Sequence, residues 1–200
     1  MSKSYPSVIY IIRHGEKLGL ASSNKGGGPD LSIQGSARAA ALPSLFVPAR
    51  PPLSCSWFGG SEVFIGQYKQ VSTASGKKRR FQTPKFIFAT EQSHQSNRPV
   101  ETITPLSLAL RLSINSSFPD SVAGIQGLAN VMQDPMYAQQ VVLICWHHGT
   151  IPKLATALGV SNPPKWKGSI FDLVWEIRYS IKGKTTLRIH HQKLLYGDAK

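Results

Sequence analysis

The chain has 200 residues, 41% of them hydrophobic, and carries 23 Lys and Arg against 10 Asp and Glu, a formal net charge of +13. That length and apolar content suit one globular domain with a sizeable core, and no stretch reaches the roughly eighteen consecutive apolar residues of a membrane-spanning helix. The two cysteines, Cys55 and Cys145, form neither a metal-ligand spacing nor a disulfide framework, and no secretory leader precedes the first apolar run, so an intracellular protein is expected.

The first predicted element is a strand over 7–13, built on the β-branched run Val8-Ile9-Tyr10-Ile11-Ile12. It ends in Arg13-His14-Gly15-Glu16. A loop over 18–31 follows, with Gly26-Gly27-Gly28-Pro29. It is a connector or a flap and not a Walker loop, because no Gly-Lys-Ser/Thr comes after it. Ser32 is placed to cap a helix over 33–46. Residues 48–85 are the least regular stretch. They hold Pro48, Pro51, Pro52, Gly59-Gly60 and the basic run Lys77-Lys78-Arg79-Arg80, and they read as a hairpin or loop insertion with Val63-Phe64-Ile65 as a short extra strand.

Strand patterns return at 86–90, 141–146, Phe171–Tyr179 and Thr185–Ile189. Helical patterns cover 98–111, with a break near Pro105, then 121–132 and 150–158, the last closed by Gly159. The last two strands pair as a hairpin around Lys182-Gly183-Lys184. Strands alternating with helices predict an α/β fold, a three-layer α/β/α sandwich on a mainly parallel, mixed sheet, as a single domain over 1–200.

The chemistry gathers at strand ends. Ligands of open α/β sheets bind outside the carboxyl ends of the strands, which is where Arg13 and His14 fall. Arginine offers a planar fork to phosphate oxygens, and histidine is a nucleophile or acid–base group near neutral pH. Gly15 lets the backbone turn tightly beside a ligand. A second imidazole set, His147-His148-Gly149-Thr150, ends the 141–146 strand just before a helix, whose N-terminus favours an anion. Arg98, followed by Pro99, opens the helix after the 86–90 strand. In a parallel sheet two arginines and two histidines converge on one crevice, and a dianionic phosphate matches them. Taken alone, Arg13-His14-Gly15 reads better as an ordinary strand end with a surface arginine and a partly buried histidine; the three junctions together carry the argument.

These residues resemble the histidine phosphatases, the phosphoglycerate-mutase-like superfamily. Arg13-His14-Gly15-Glu16 resembles the first block of that family. Leu31-Ser32-x-x-Gly35-x-x-Arg38-Ala39 resembles the second, Ala89 with Arg98-x-x-Glu101-Thr102 the third, and His148-Gly149 the fourth. The resemblance implies a metal-independent phosphatase without cofactor, in which His14 attacks phosphorus and forms a phosphohistidine. Arg13, Gly15, Arg98 and His148 would surround the phosphate. The net positive charge itself would draw anionic substrates, and it equally fits nucleic-acid or membrane-surface binding.

The resemblance implies that role for His148, the histidine immediately before glycine, and strand alternation turns His147 to the opposite face, where it would support the site from behind or pack against a covering helix. The other nitrogen of His14 needs a carbonyl or carboxylate acceptor; Glu16 is one candidate, with a solvated role as the alternative. The leaving-group acid is the open position. The resemblance implies an acid well after the middle arginine or just after the second histidine; Asp120 is the candidate, with Glu91 and Glu101 as rivals, and Asp120 or Ser121 equally suits the N-cap of the following helix. Without an acid, phosphoprotein acyl or imidazole phosphates become the favoured substrates.

The expected activity is hydrolysis of phosphate monoesters on phosphorylated small molecules or phosphoproteins, with no membrane partner. A phosphoglycerate-mutase-like phosphotransferase, or a catalytically weak protein binding phospho-ligands or RNA on the same fold, are the alternatives. Lys77-Arg80 resembles a nuclear-localisation tetrapeptide but reads better as a solvated loop of a cytoplasmic protein.

Overall fold

The computed structural model describes residues 5–18, 28–48, 81–180 and 184–198. Its strands are β1 (Val8–Arg13), β2 (Phe86–Thr90), β3 (Ile114–Phe118), β4 (Val141–Trp146), β5 (Leu173–Tyr179) and β6 (Thr185–His191). They form one sheet in the order β3-β2-β4-β1-β5-β6. The first four of these positions run parallel, while β5 pairs antiparallel with both β1 and β6.

The pleat sorts the central side chains into two layers. Ile9, Ile11, Phe88, Val142, Ile144 and Trp146 face helices α4 (Val122–Val131) and α5 (Ile151–Ala157) through Ile125, Leu128 and Leu154. Val8, Tyr10, Ile12, Ile87, Leu143 and Cys145 face α1 (Ile33–Ala41), α2 (Pro43–Phe46) and α3 (Arg98–Leu110) through Ala39, Phe46, Ile103 and Leu106. A strand covered on both faces has no use for alternation, which is why β1 and β4 are continuous apolar runs, wholly buried. Each such aliphatic side chain contributes about 1.5–3 kcal/mol. The expected three-layer α/β/α sandwich on a mixed, mainly parallel sheet is therefore the fold observed.

Four local expectations are corrected. The helix over 33–46 is two helices, because Pro43 has no N–H for the carbonyl of Ala39, and that carbonyl takes Leu42 N–H instead. Helix α3, by contrast, runs through Pro105 without a break; its buried Ile103 and Leu106 flank the proline and hold the turn against the sheet. β3 was not foreseen. It is a half-buried edge strand rich in Asn and Ser, and pairing with β2, not local propensity, makes it a strand. β5 begins at Leu173, so Phe171 belongs to the segment before it.

The insertion expected at 48–85 lies outside the described residues up to Arg80, as do Val63–Ile65, the Lys77–Arg80 run, Cys55, Gly26, Gly27 and the 181–183 turn. Cys145 is buried, and burial raises its thiol pKa. Among the described residues no helix is long and apolar enough to cross a membrane.

Candidate active site

Strands β1 and β4 lie side by side in register, with Arg13 opposite Trp146, and His14 N–H donates to the Trp146 carbonyl at 3.2 Å. The residues that step off the two strands, His14 and His147, therefore sit at the same level. Their rings are 5.1 Å apart, inclined at 65°. This corrects the expectation that His147 points away. Alternation ends with β4 at Trp146, and residues 148–150 already form a turn, so the strand rule does not reach His147.

His14 is 3% exposed, and its Nδ1 lies 2.7 Å from the Gly15 carbonyl. A carbonyl only accepts, so Nδ1 carries the proton and Nε2 keeps its lone pair. Burial lowers the imidazole pKa. The Gly15 bond opposes this, His147, Arg13 and Arg98 reinforce it, and the result is about 3. The ring is thus neutral at pH 7, as an attacking nitrogen requires.

Gly15 contributes differently from the expectation. Its N–H donates to Thr102 Oγ1 at 2.8 Å and its carbonyl serves His14, so neither backbone group is left for a phosphate. A Cβ on Gly15 would stand 2.9 Å from the Gly35 carbonyl oxygen, which explains the glycine. Thr102 in turn donates to the Arg98 carbonyl at 2.7 Å. One buried hydroxyl thus joins the turn after β1 to the opening of α3, a link that no sequence signal announced.

Both arginines reach the crevice. Arg13 is 2% exposed, and its Nη1 donates to the carbonyls of Gly168 (2.6 Å) and Ile170 (3.1 Å). Burial lowers its pKa, partly offset by Glu16, to about 10, so it stays cationic at pH 7. Arg98 Nη1 donates to the Gly28 carbonyl at 2.9 Å, and burial lowers its pKa also. The Nε groups of both are buried and make no hydrogen bond among the described residues. Buried donors left unpaired are costly, and an anion would satisfy them.

His147 has its pKa lowered by burial, with Asp120 opposing and both arginines reinforcing. His148 is half-buried, and burial, Arg13, His147 and Lys17 lower its pKa against Asp120. Its Nε2 faces Gly168, where a Cβ would come within 3.3 Å. His148 therefore leans on the 168–170 segment, one residue beyond the pair formed by His14 and His147.

Of the carboxylates, Asp120 alone among the three candidates is fixed beside the imidazoles. Its Oδ1 accepts from Trp146 Nε1 at 3.0 Å and from Thr150 Oγ1. It does not cap α4; Ser121 does, accepting from Gly124 N–H. Glu101 accepts Leu31 N–H at 2.8 Å, and its pKa is raised by burial, against the Leu31 bond, with Asp30 adding to the rise. Glu91 is exposed on the loop after β2. Glu16 is not a partner of His14: it pairs with Arg38 at 2.6 Å, and Arg38 pairs with Asp198 at 2.7 Å.

Among the described residues no group of three or more His, Cys, Asp or Glu could hold a metal ion. A cavity of about 660 Å³ opens between Tyr5, Leu158, Tyr179 and Leu187, but among the described residues its only ionisable side chains are Lys184 and the two tyrosines. Outside that cavity, at the carboxyl ends of β1 and β4, Arg13, His14, Arg98, Asp120 and His147 lie close enough to act on one another's charge.

No family model matches the sequence, and no curated protein matches it. Among solved structures, the chain is similar to the protein histidine phosphatase SixA complexed with tungstate, at 15% identity and a TM-score of 0.48, over 92% of this chain and 97% of that one. It is also similar to the candidate phosphohistidine phosphatase SixA from Agrobacterium tumefaciens, at 16% identity and a TM-score of 0.44, over 96% of this chain and 99% of that one.

Proposed function

We propose that the chain is a phosphatase that transfers a phosphoryl group to His14 Nε2 and releases it to water. The observation that carries this reading is the state of His14: neutral, with Nδ1 committed to the Gly15 carbonyl, and set among Arg13, Arg98 and His147. A binding site has no need of an imidazole held as a free nucleophile between two cations.

In the first step Nε2 donates its lone pair to phosphorus while the ester bond breaks. Arg13 and Arg98 hold the equatorial oxygens, where charge is stabilised. His147, at the level of His14, donates a further hydrogen bond there; we assign it the role that the motif pattern gave to His148. The leaving oxygen needs a proton when it is a poor leaving group. Asp120 is the donor we assign, through Oδ2, since Oδ1 is anchored by Trp146 and Thr150. In the second step water attacks the phosphohistidine, Asp120 now accepting its proton, and His14 leaves as the neutral ring.

Phosphate monoesters are the substrate class, on small molecules or phosphoproteins. Acyl and imidazole phosphates, whose leaving groups depend less on an acid, would be turned over with or without Asp120. The test is hydrolysis of an aryl phosphate in the presence of a chelator, with alkaline-quench trapping of the labelled enzyme. Turnover and a base-stable, acid-labile phosphoenzyme in wild type, both lost in His14→Ala, are expected. Folded wild type that neither turns over nor labels with aryl, acyl and imidazole phosphates would reject the reading.

A further inference from the structure

The residues between α5 and β5 make a short strap across the carboxyl end of β1. Arg13 Nη1 donates to two strap carbonyls, Gly168 and Ile170. The Arg13 guanidinium carbon sits 3.6 Å from the centre of the Phe171 ring, and that ring is 6.3 Å from the His14 ring. The strap itself is anchored. Trp166 Nε1 donates to the Ile170 carbonyl at 2.8 Å, and the Trp166 ring lies 5.3 Å from Trp175 in β5. At the other end, the Asp172 carbonyl accepts Gln192 N–H, and Asp172 Oδ2 pairs with His191 Nδ1 at 2.8 Å.

From this we infer that Phe171 is a positioning residue for phosphate binding: its ring is the platform that aims the Nε–Nη2 edge of Arg13 at the phosphate. This rests on the reading of Arg13 as a phosphate ligand. The strap carbonyls hold Nη1 and leave the Nε–Nη2 edge, whose buried Nε has no hydrogen-bond partner among the described residues. Two hydrogen bonds to Nη1 alone permit the guanidinium plane to rock about that nitrogen. A ring stacked beneath the plane removes that freedom, and a cation over a desolvated aromatic face is held by the ring quadrupole as well as by contact. Arginine matched to phosphate through one edge depends on orientation, since its donors are fixed in a planar fork.

The readout is the inhibition constant of inorganic phosphate, together with kcat and KM for an aryl phosphate and a thermal melt. In Phe171→Leu the platform is lost while an apolar side chain remains; phosphate inhibition weakens about tenfold, with a matching rise in KM. Phe171→Tyr, which keeps the face, stays within about threefold of wild type. A structural role alone would lower kcat with the active fraction and leave the phosphate constant unchanged, and that result overturns the inference. So does an equal loss in Leu and Tyr variants.

Should the Leu variant not fold, phenylalanine at 171 is replaced by its mono-, di- and trifluoro analogues, which keep the shape and drain the ring face. A stepwise weakening of phosphate inhibition supports the platform; a flat series overturns it. Wild type that turns over substrate while Phe171 variants bind phosphate normally refutes the platform alone. Wild type that neither turns over nor binds phosphate refutes both the platform and the proposed function.

Discussion

Replacing Arg38 by methionine tests how the turn carrying His14 is held. Arg38 is 2% exposed and faces two carboxylates, Glu16 at 2.6 Å and Asp198 at 2.7 Å. Asp198 also accepts the N–H groups of Leu194 and Leu195, so the final described segment is fastened to the arginine. Burial would lower the Arg38 pKa, but Asp198 and Glu16 outweigh it and raise the value. Arg38→Met keeps the stem and leaves two carboxylates uncompensated. Breaking a buried pair this way costs about 3–5 kcal/mol. At roughly 2–4 °C per kcal/mol for a domain of this size, the melting temperature should fall by about 6–20 °C.

The measurement is a thermal melt at pH 7, repeated in the triple variant Glu16→Gln, Arg38→Met, Asp198→Asn. Removing the stranded charges should recover more than half of the loss. The defect should also shrink on acidification. Asp198, with its carboxyl pKa lowered by Arg38 against the effect of burial, stabilises fully above its unfolded pKa and loses that stabilisation as pH falls through the folded value. A melt within about 2 °C of wild type, or a triple variant no better than the single one, would refute the argument.

Other expectations concern the crevice itself. His147→Ala should reduce kcat/KM for an aryl phosphate by about 10²–10³, the usual loss for one donor to the transition state, while His148→Ala should cost less than about tenfold; the reverse order would restore His148 to the phosphate. Asp120→Asn should slow alkyl phosphates by about 10²–10⁴ and leave acyl phosphates within about tenfold, so an equal effect on both classes would exclude it as the acid. Imidazole ¹⁵N spectra should show His14 as the Nδ1–H tautomer from pH 8 to pH 5, with no titration near the ordinary histidine value of about 6.5. Because the unfolded ring gains a proton below about 6.5 and the folded one does not, stability should fall by about 1.4 kcal/mol per pH unit from there towards a pH near the folded pKa of about 3, a slope that His14→Gln removes.

The sheet was legible because its central strands are buried on both faces. Val8–Ile12 and Val141–Trp146 have no other reading, and each ends abruptly in the polar residues of the crevice. Gly159 marked the end of α5, where its φ of +95° is one that other residues avoid. The positions of Arg13, His14 and Arg98 were legible for the same reason: they sit at junctions whose location follows from local pattern and a parallel sheet.

What the chain could not show by itself were contacts between distant segments. β3 carries too few apolar residues to announce a strand, and its pairing with β2 brings Asp120 to Trp146 and Thr150, 26 and 30 positions away. The family resemblance favoured His148, the histidine before glycine, and only the β1–β4 register puts His147 beside His14. Thr102 under Gly15, Phe171 under Arg13 and Asp198 against Arg38 join positions 87, 158 and 160 residues apart. Local sequence determines which residues are apolar, which turn and which carry charge, because those are properties of neighbouring side chains and backbone. Which imidazole meets His14, and which groups hold the arginines, depends on strand order and register, and those are set by the burial of the whole sheet between its two helical layers.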